Sequence, residues 1–266
     1  MSRTAASTSP EPVLLREDRD GLTTLTLNRP GAYNALSESL LESLQAALDG
    51  IADDASVRAV VIAGRGKAFC AGHDLKEMRA NPSREYYEEL FARCSRMMKS
   101  IVALPKPVIA RVHGIATAAG CQLVGTCDLA VASRDARFAV SGVNYGLFCS
   151  TPSVALSRNV RRKQAFEMLV TGDFIDADTA LGYGLVNRSV DPDRLDREVD
   201  ALYARIAAKP PVAIETGKRM FYAQIEKDLE AAYAYAGEVM ACNMMAEDAI
   251  EGIEAFIEKR EPRWKG

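Results

Sequence analysis

Two histidines, His73 and His113, are all that this chain of 266 residues carries, and no HExxH pair is among them. A histidine-rich metal site is excluded by that count, although carboxylate sites are not, and no metal is expected. Neither GxGxxG, nor GxxxxGK followed by Ser or Thr, nor GxSxG occurs. A dinucleotide fold, a P-loop NTPase and an α/β-hydrolase therefore lose their main sequence support. No apolar run approaches the ~20 residues that span a bilayer, so no membrane partner is expected. Basic blocks are absent too: 33 Lys and Arg face 36 Asp and Glu, a net charge of −3, which makes nucleic acid a poor partner. The six cysteines, at 70, 94, 121, 127, 149 and 242, have spacings that fit no zinc or redox motif. They read as small buried hydrophobes in a reducing compartment.

What is present is ordinary globular composition, 48% hydrophobic and 26% charged, with length enough for a large core. The opening "MSRTAASTSPEP", residues 1–12, is polar and expected to be disordered. Without an apolar segment it is no secretory signal, and the expected location is cytoplasmic. Its Ser/Thr content and single Arg leave a mitochondrial destination as the alternative. Beyond it, "VLLREDRDGLTTLTLNRP" alternates around an Asp-Gly pair and predicts a hairpin. Strand-like and helix-like segments then alternate to about residue 190, as in parallel crossovers, so an α/β core is expected over 13–191. From 192 to 266 the pattern is almost purely helical.

Two strand-to-helix turns stand out, "KAFCAGHDLKEM" (67–78) and "HGIATAAGCQLVGTCD" (113–128). Both put small residues where a strand ends. Such residues let a ligand approach the backbone closely, and a helix N-terminus adds free N–H groups and the positive end of its dipole. Two N–H groups converging on one oxygen would form an oxyanion hole. The other reading is that small residues simply let helices pack close to a sheet.

In order along the chain, "LNRPGAYNAL" (27–36), "KAFCAGHDLKEM", "KPVIARVHGIATAAGCQLVGTCDLAVAS" (106–133), "ARFAV", "LVTGDFIDADTALGYGLVNRSV" (169–190) and "EDAIEGIEAFIEKREPRWKG" (247–266) resemble the enoyl-CoA hydratase/isomerase, or crotonase, superfamily. The resemblance implies a spiral of ββα units, with C-terminal helices that help build a homotrimer or a dimer of trimers. It also implies an acyl-CoA or enoyl-CoA ligand, with coenzyme A as part of the substrate and no separate cofactor. Carried over by position, the two oxyanion-hole N–H groups fall on His73 and Ala119. His73, Asp74, Leu75 and Lys76 would line the pantetheine arm, Ala32 would lie near the adenine, and Ala71 and Gly120 would also bind the substrate.

The family's two catalytic glutamates fall on Gln122, three residues after Ala119, and on Gly142, twenty residues further. An amide can orient a water or a carbonyl but cannot exchange a proton near neutral pH. Acid–base help is worth roughly 10²–10⁴-fold. Substitute proton carriers would have to come from His73, Asp74, Glu77, Tyr145, Cys149 or Ser150. The expected function is an acyl-CoA enzyme that stabilises a thioester enolate, by hydration, isomerisation or thioester hydrolysis. The alternative is a non-catalytic acyl-CoA-binding protein.

Overall fold

In the computed structural model, which describes residues 11–265, the Asp20–Gly21 pair turns the chain between β1 (Leu14–Arg19) and β2 (Leu22–Leu27). Both turn residues have positive φ, 50° and 82°, the twist that suits a two-residue hairpin. Residues 1–10 of the expected unstructured N-terminus lie outside the described residues. Pro12 and Val13 are held by Asn28, which donates to their carbonyls at 2.9 and 2.8 Å.

Three successive strand pairs follow. The first strand of each, β3 (Ala59–Gly64), β5 (Val108–Val112) and β7 (Leu129–Ser133), joins β1, β2 and β10 (Arg188–Val190) in a six-stranded sheet ordered β1-β2-β3-β5-β7-β10. Apart from the β1–β2 hairpin, its pairs are parallel. The second strand of each, β4 (Ala68–Cys70), β6 (Ile115–Thr117) and β8 (Arg137–Ala139), forms a smaller sheet with β9 (Ile175–Asp176), ordered β4-β6-β8-β9. Helices close each turn: α2 (Leu75–Ala80) and α3 (Arg84–Ala103) after β4, α4 (Ala119–Thr126) after β6, and α5 (Ser150–Asn159) and α6 (Arg162–Thr171) after β8. This is the spiral of ββα units that the motifs imply.

Period-2 burial sorts the large sheet into two faces. Leu25, Leu27, Val60, Ile62, Val108 and Ala110 face the main core. There they meet α1 (Glu38–Ala52), which buries Leu40, Leu41, Leu44, Leu48 and Ile51 along one stripe. Ser37 caps α1 by accepting from Leu40 N–H at 3.2 Å. The opposite face, through Ala59, Val61, Ala63, Ile109 and Val131, packs on Leu195 and Val199 of α8 (Leu195–Ala207).

The remaining helices are α7 (Ala177–Tyr183), α9 (Pro211–Gln224), α10 (Leu229–Met244) and α11 (Glu247–Glu258). Helix α9 is pinned by Lys218, whose ammonium donates to Asp128 at 2.6 Å and to the carbonyls of Ile101 and Lys106 at 2.9 and 3.0 Å. Helix α10 buries none of its residues within the chain. No helix among the described residues is long and apolar enough to cross a membrane. Five cysteines are buried and only Cys242 is exposed, largely the expected placement of small hydrophobes.

Candidate active site

Strands β4 and β6 pair in parallel, Ala68 with Ile115 and Cys70 with Ala116, so their C-terminal ends emerge side by side. The two small-residue turns therefore abut. A Cβ on Gly72, whose φ is +93°, would stand 3.0 Å from Ala118 Cβ, 3.2 Å from Thr117 O and 3.3 Å from Ala119 N. Only glycine fits both the backbone angle and that gap. Leu36 bridges the first turn: its N–H donates to Gly72 O at 2.7 Å and its carbonyl accepts from Asp74 N–H at 3.3 Å. In this parallel pattern the N–H of His73 itself is turned away from Leu36.

Ala118 caps α4 at φ 51°, ψ −120°, with no side-chain hydrogen bond to the helix. An L-residue rarely adopts this conformation, which stores strain at the turn. Its N–H donates to Ala139 O and its carbonyl accepts from Gln122 N–H, each at 3.0 Å. The N–H groups of His73 and Ala119 have no backbone acceptor among the described residues. Two free donors thus sit on adjoining turns at a helix N-terminus, where an oxygen would be attracted. The packing reading of the small residues also holds, one residue further on. A Cβ on Gly120 would lie 2.0 Å from Cys70 O, so only glycine lets α4 seat against β4.

All eight residues of α4 are buried, Gln122 among them at 6% exposure. Gln122 Oε1 is fully enclosed and accepts no hydrogen bond among the described residues. A buried amide oxygen of this kind calls for a hydrogen-bond donor, since leaving it unsatisfied costs ~1–3 kcal/mol. From position 122 the side chain leans back toward the helix N-terminus, to the side of Ala119.

Gly142 lies in a short 3-10 turn, Ser141–Tyr145, and its φ is not positive. Its constraint is space. A Cβ there would stand 2.5 Å from Leu147 O and 2.8 Å from Cys149 Sγ. The Cys149 thiol fills this place and accepts from Gly142 N–H at 3.3 Å. Ser141 ties the turn to β6 through its hydroxyl, 2.9 Å from that of Thr117.

The alternative proton carriers are each occupied or misplaced. Asp74 caps α2, accepting from Lys76 and Glu77 N–H at 3.0 and 3.4 Å, and pairs with Arg29 at 2.8 Å. Burial alone would raise its carboxyl, but Arg29 and these N–H groups together hold it below the ordinary value. Glu77 accepts from Glu38 N–H at 2.9 Å and so serves the start of α1. The His73 ring packs edge-on against Phe91 of α3, centroids 5.5 Å apart, and burial pushes its pKa down to about 4. The Leu36 backbone exerts a smaller opposing pull on the ring, although neither enclosed ring nitrogen has a partner in strict hydrogen-bond geometry among the described residues. Burial raises the Cys149 thiol, against a smaller opposing pull from Gly142 N–H. Tyr145 is 71% exposed, and Ser150 donates to Phe148 O at 3.3 Å.

The outer residues fall along one edge. Ala71 N–H donates to Tyr33 O at 3.0 Å, which sets the turn holding Ala32 beside Ala71. Leu75 and Lys76 are exposed next to them. Two residues that sequence reading passed over secure this edge. Arg29 donates to Ala35 O at 2.6 Å besides pairing with Asp74. Asn34, buried at φ 56°, donates to the Arg65 and Ala68 carbonyls at 2.9 and 2.7 Å. No local pattern announces the Arg29–Asp74 pair or the two Asn34 bonds, since those partners lie more than 30 residues away. No three His, Cys, Asp or Glu side chains gather as a metal set among the described residues.

The family model for enoyl-CoA hydratase/isomerase matches residues 17–266. The chain is 44% identical to enoyl-CoA hydratase domain-containing protein 3, mitochondrial, of Xenopus laevis, over 95% of this chain and 86% of that protein. Among solved structures, an enoyl-CoA hydratase of Mycobacterium smegmatis matches with 66% identity and a TM-score of 0.95, covering 96% of this chain and all (100%) of that one. Human enoyl-CoA hydratase domain-containing protein 3 matches with 43% identity and a TM-score of 0.92, covering 95% and 100%.

Proposed function

The chain belongs to the enoyl-CoA hydratase/isomerase family, and from that premise we propose that it is an acyl-CoA enzyme whose thioester carbonyl is held by the N–H groups of His73 and Ala119. The observation that carries this reading is the pair of unpartnered N–H groups on abutting turns. Negative charge developing on the carbonyl oxygen would be stabilised there, which is what formation of an enolate requires. Ala71, Asp74, Leu75 and Lys76 would border the pantetheine arm, Gly120 the thioester, and Ala32 the adenine. Gln122 would orient a water or the acyl group. With Gln122 and Gly142 in place of two acids, the expected chemistry is weak hydration, isomerisation or thioester hydrolysis.

A second reading, a non-catalytic acyl-CoA-binding protein, is favoured by one specific observation. The position of the second acid is filled, because Leu147 O and Cys149 Sγ leave no room for a side chain at 142. Two measurements separate the readings. Calorimetry should show acetyl-CoA binding more tightly than free CoA; no binding of either at millimolar concentration would end both. Crotonyl-CoA absorbance should then decay if the protein is an enzyme and stay constant if it is a carrier.

We also propose a homotrimer or a dimer of trimers. Support comes from the apolar surface left by the last two helices, including Tyr233, Met245, Ile253, Phe256 and Ile257, with Phe256 85% exposed. Light scattering should give three or six times the 28.9 kDa of one chain; a mass near one chain would contradict it. For the compartment, the mitochondrial alternative has the name of the Xenopus laevis relative behind it, and the cytoplasmic expectation has no such support.

A further inference from the structure

We infer that Arg29 is a positioning residue: its guanidinium, bridging Ala35 O and Asp74, sets the direction of the His73 N–H and with it the preference of the site for a thioester over free CoA. The inference rests on the thioester reading above and names what holds that donor in place. The His73 N–H makes no backbone bond among the described residues, so its neighbours must fix its direction. The backbone of His73 lies opposite Leu36 in an isolated parallel bridge. Two bonds make that bridge, Leu36 N–H to Gly72 O at 2.7 Å and Asp74 N–H to Leu36 O at 3.3 Å. The second is long, and no further ladder bonds continue the pairing on either side.

Arg29 closes the bridge from outside. One arm of its fork, Nη1, donates to Ala35 O at 2.6 Å, one residue before Leu36. The other, Nη2, donates to Asp74 Oδ2 at 2.8 Å, one residue after His73. One planar head thus ties both sides of the bridge. The second carboxylate oxygen, Asp74 Oδ1, accepts from Lys76 N–H at 3.0 Å, which carries the constraint to the start of α2. Asn34 seats Arg29 in turn, its side chain accepting from Arg29 N–H at 2.9 Å. Tyr33 and Asn34 hold φ of 51° and 56°, a conformation that persists only where the surroundings over-determine it. The Arg29 and Asp74 side chains are 21% and 12% exposed, so the pair is shielded and directional, unlike a loose surface pair. Lysine would keep the charge opposite Asp74 but offers a point rather than a fork. A residue that only stabilised the fold would leave the His73 N–H where it is in every molecule that folds; a positioning residue would not.

The test is calorimetric titration of the full-length wild type, Arg29→Lys, Arg29→Met and Lys218→Met with acetyl-CoA and with free CoA. The readout is the ratio of the two affinities, in which contacts to the CoA portion cancel. The wild type should favour acetyl-CoA. In Arg29→Lys that preference should fall about three- to tenfold, the worth of one hydrogen bond. Arg29→Met should lose at least as much, and the milder Arg29→Lys decides the matter if Arg29→Met does not fold. Lys218→Met, whose lesion at Asp128 lies past the far end of α4, is destabilised but should keep the preference. The infrared carbonyl band of bound, carbonyl-labelled acetyl-CoA should also move back toward its aqueous position in Arg29→Lys. An unchanged preference in Arg29→Lys, or an equal fall in Lys218→Met, would overturn this inference and leave the thioester reading standing. A wild type that binds acetyl-CoA no more tightly than free CoA would overturn the thioester reading itself.

Discussion

The backbone N–H of Gly142 donates to the thiol of Cys149 at 3.3 Å, and that thiol stands where a side chain on residue 142 would begin. The packing of 141–149 therefore leaves no room for a side chain at 142. Placing a carboxylate there by substitution should fail for that structural reason. Gly142→Ala, whose Cβ would meet Leu147 O at 2.5 Å, should cost about 1–3 kcal/mol of stability, read from denaturant midpoints. Gln122→Glu with Gly142→Glu should show no more crotonyl-CoA hydration than Gln122→Glu alone. A large gain in the double variant would show that the loop yields to a side chain at 142.

Strain at the second turn gives a pair of opposite outcomes. Ala118 holds φ 51°, ψ −120°, a conformation that glycine adopts without penalty, so Ala118→Gly should leave the protein as stable or stabilise it by about 1 kcal/mol. Gly120→Ala, two residues on, would put a methyl 2.0 Å from Cys70 O. It should lower the melting temperature sharply or prevent folding. Equal effects of the two substitutions would mean that the turn is not seated as described.

Acid should expose the enclosed imidazole. Burial lowers the pKa of His73 from 6.5 to about 4, so between those values the unfolded chain binds a proton that the folded chain refuses. The stability tied to this group is complete above pH 6.5 and is lost as pH falls toward 4, by up to about 3 kcal/mol. Asp74, held below its ordinary value, contributes its own loss at lower pH. Denaturation curves across this window should flatten in His73→Phe. Imidazole proton resonances should show His73 still neutral at pH 5.

The anchor of α9 makes a prediction away from the site. Lys218 and Asp128 pair at 2.6 Å while nearly enclosed. Lys218→Met strands a buried carboxylate and should cost about 3–5 kcal/mol. Adding Asp128→Asn should recover part of that loss, and a double variant no more stable than the single one would contradict the pairing.

Long, strongly patterned segments were legible in the sequence. The Asp20–Gly21 hairpin, the alternation of strands and helices to about residue 190 and the helical stretch after it stand where periodicity and turn residues put them. The second sheet was not, because strands of two or three residues such as β6 and β9 are too short to show a period. Helix α5 was hidden behind "CSTP", where Pro152 sits in the first turn, a place proline tolerates. For the candidate site, motif order is what singles out His73, Ala119 and Gln122 as expectations. The enclosure of Gln122 Oε1, the strain at Ala118 and the Arg29–Asp74 pair were not legible, since each depends on residues brought together only by the fold.

The central claim is that the His73 and Ala119 N–H groups bind a thioester oxygen. Ala119→Pro is a poor probe, because a residue before proline is driven to extended angles that Ala118 does not have. The direct measurement is the infrared carbonyl band of carbonyl-labelled acetyl-CoA bound to the protein. Two fixed donors in an enclosed site should shift that band to lower frequency than in water. A bound ligand whose carbonyl band stays at its aqueous position would show that neither N–H holds the thioester.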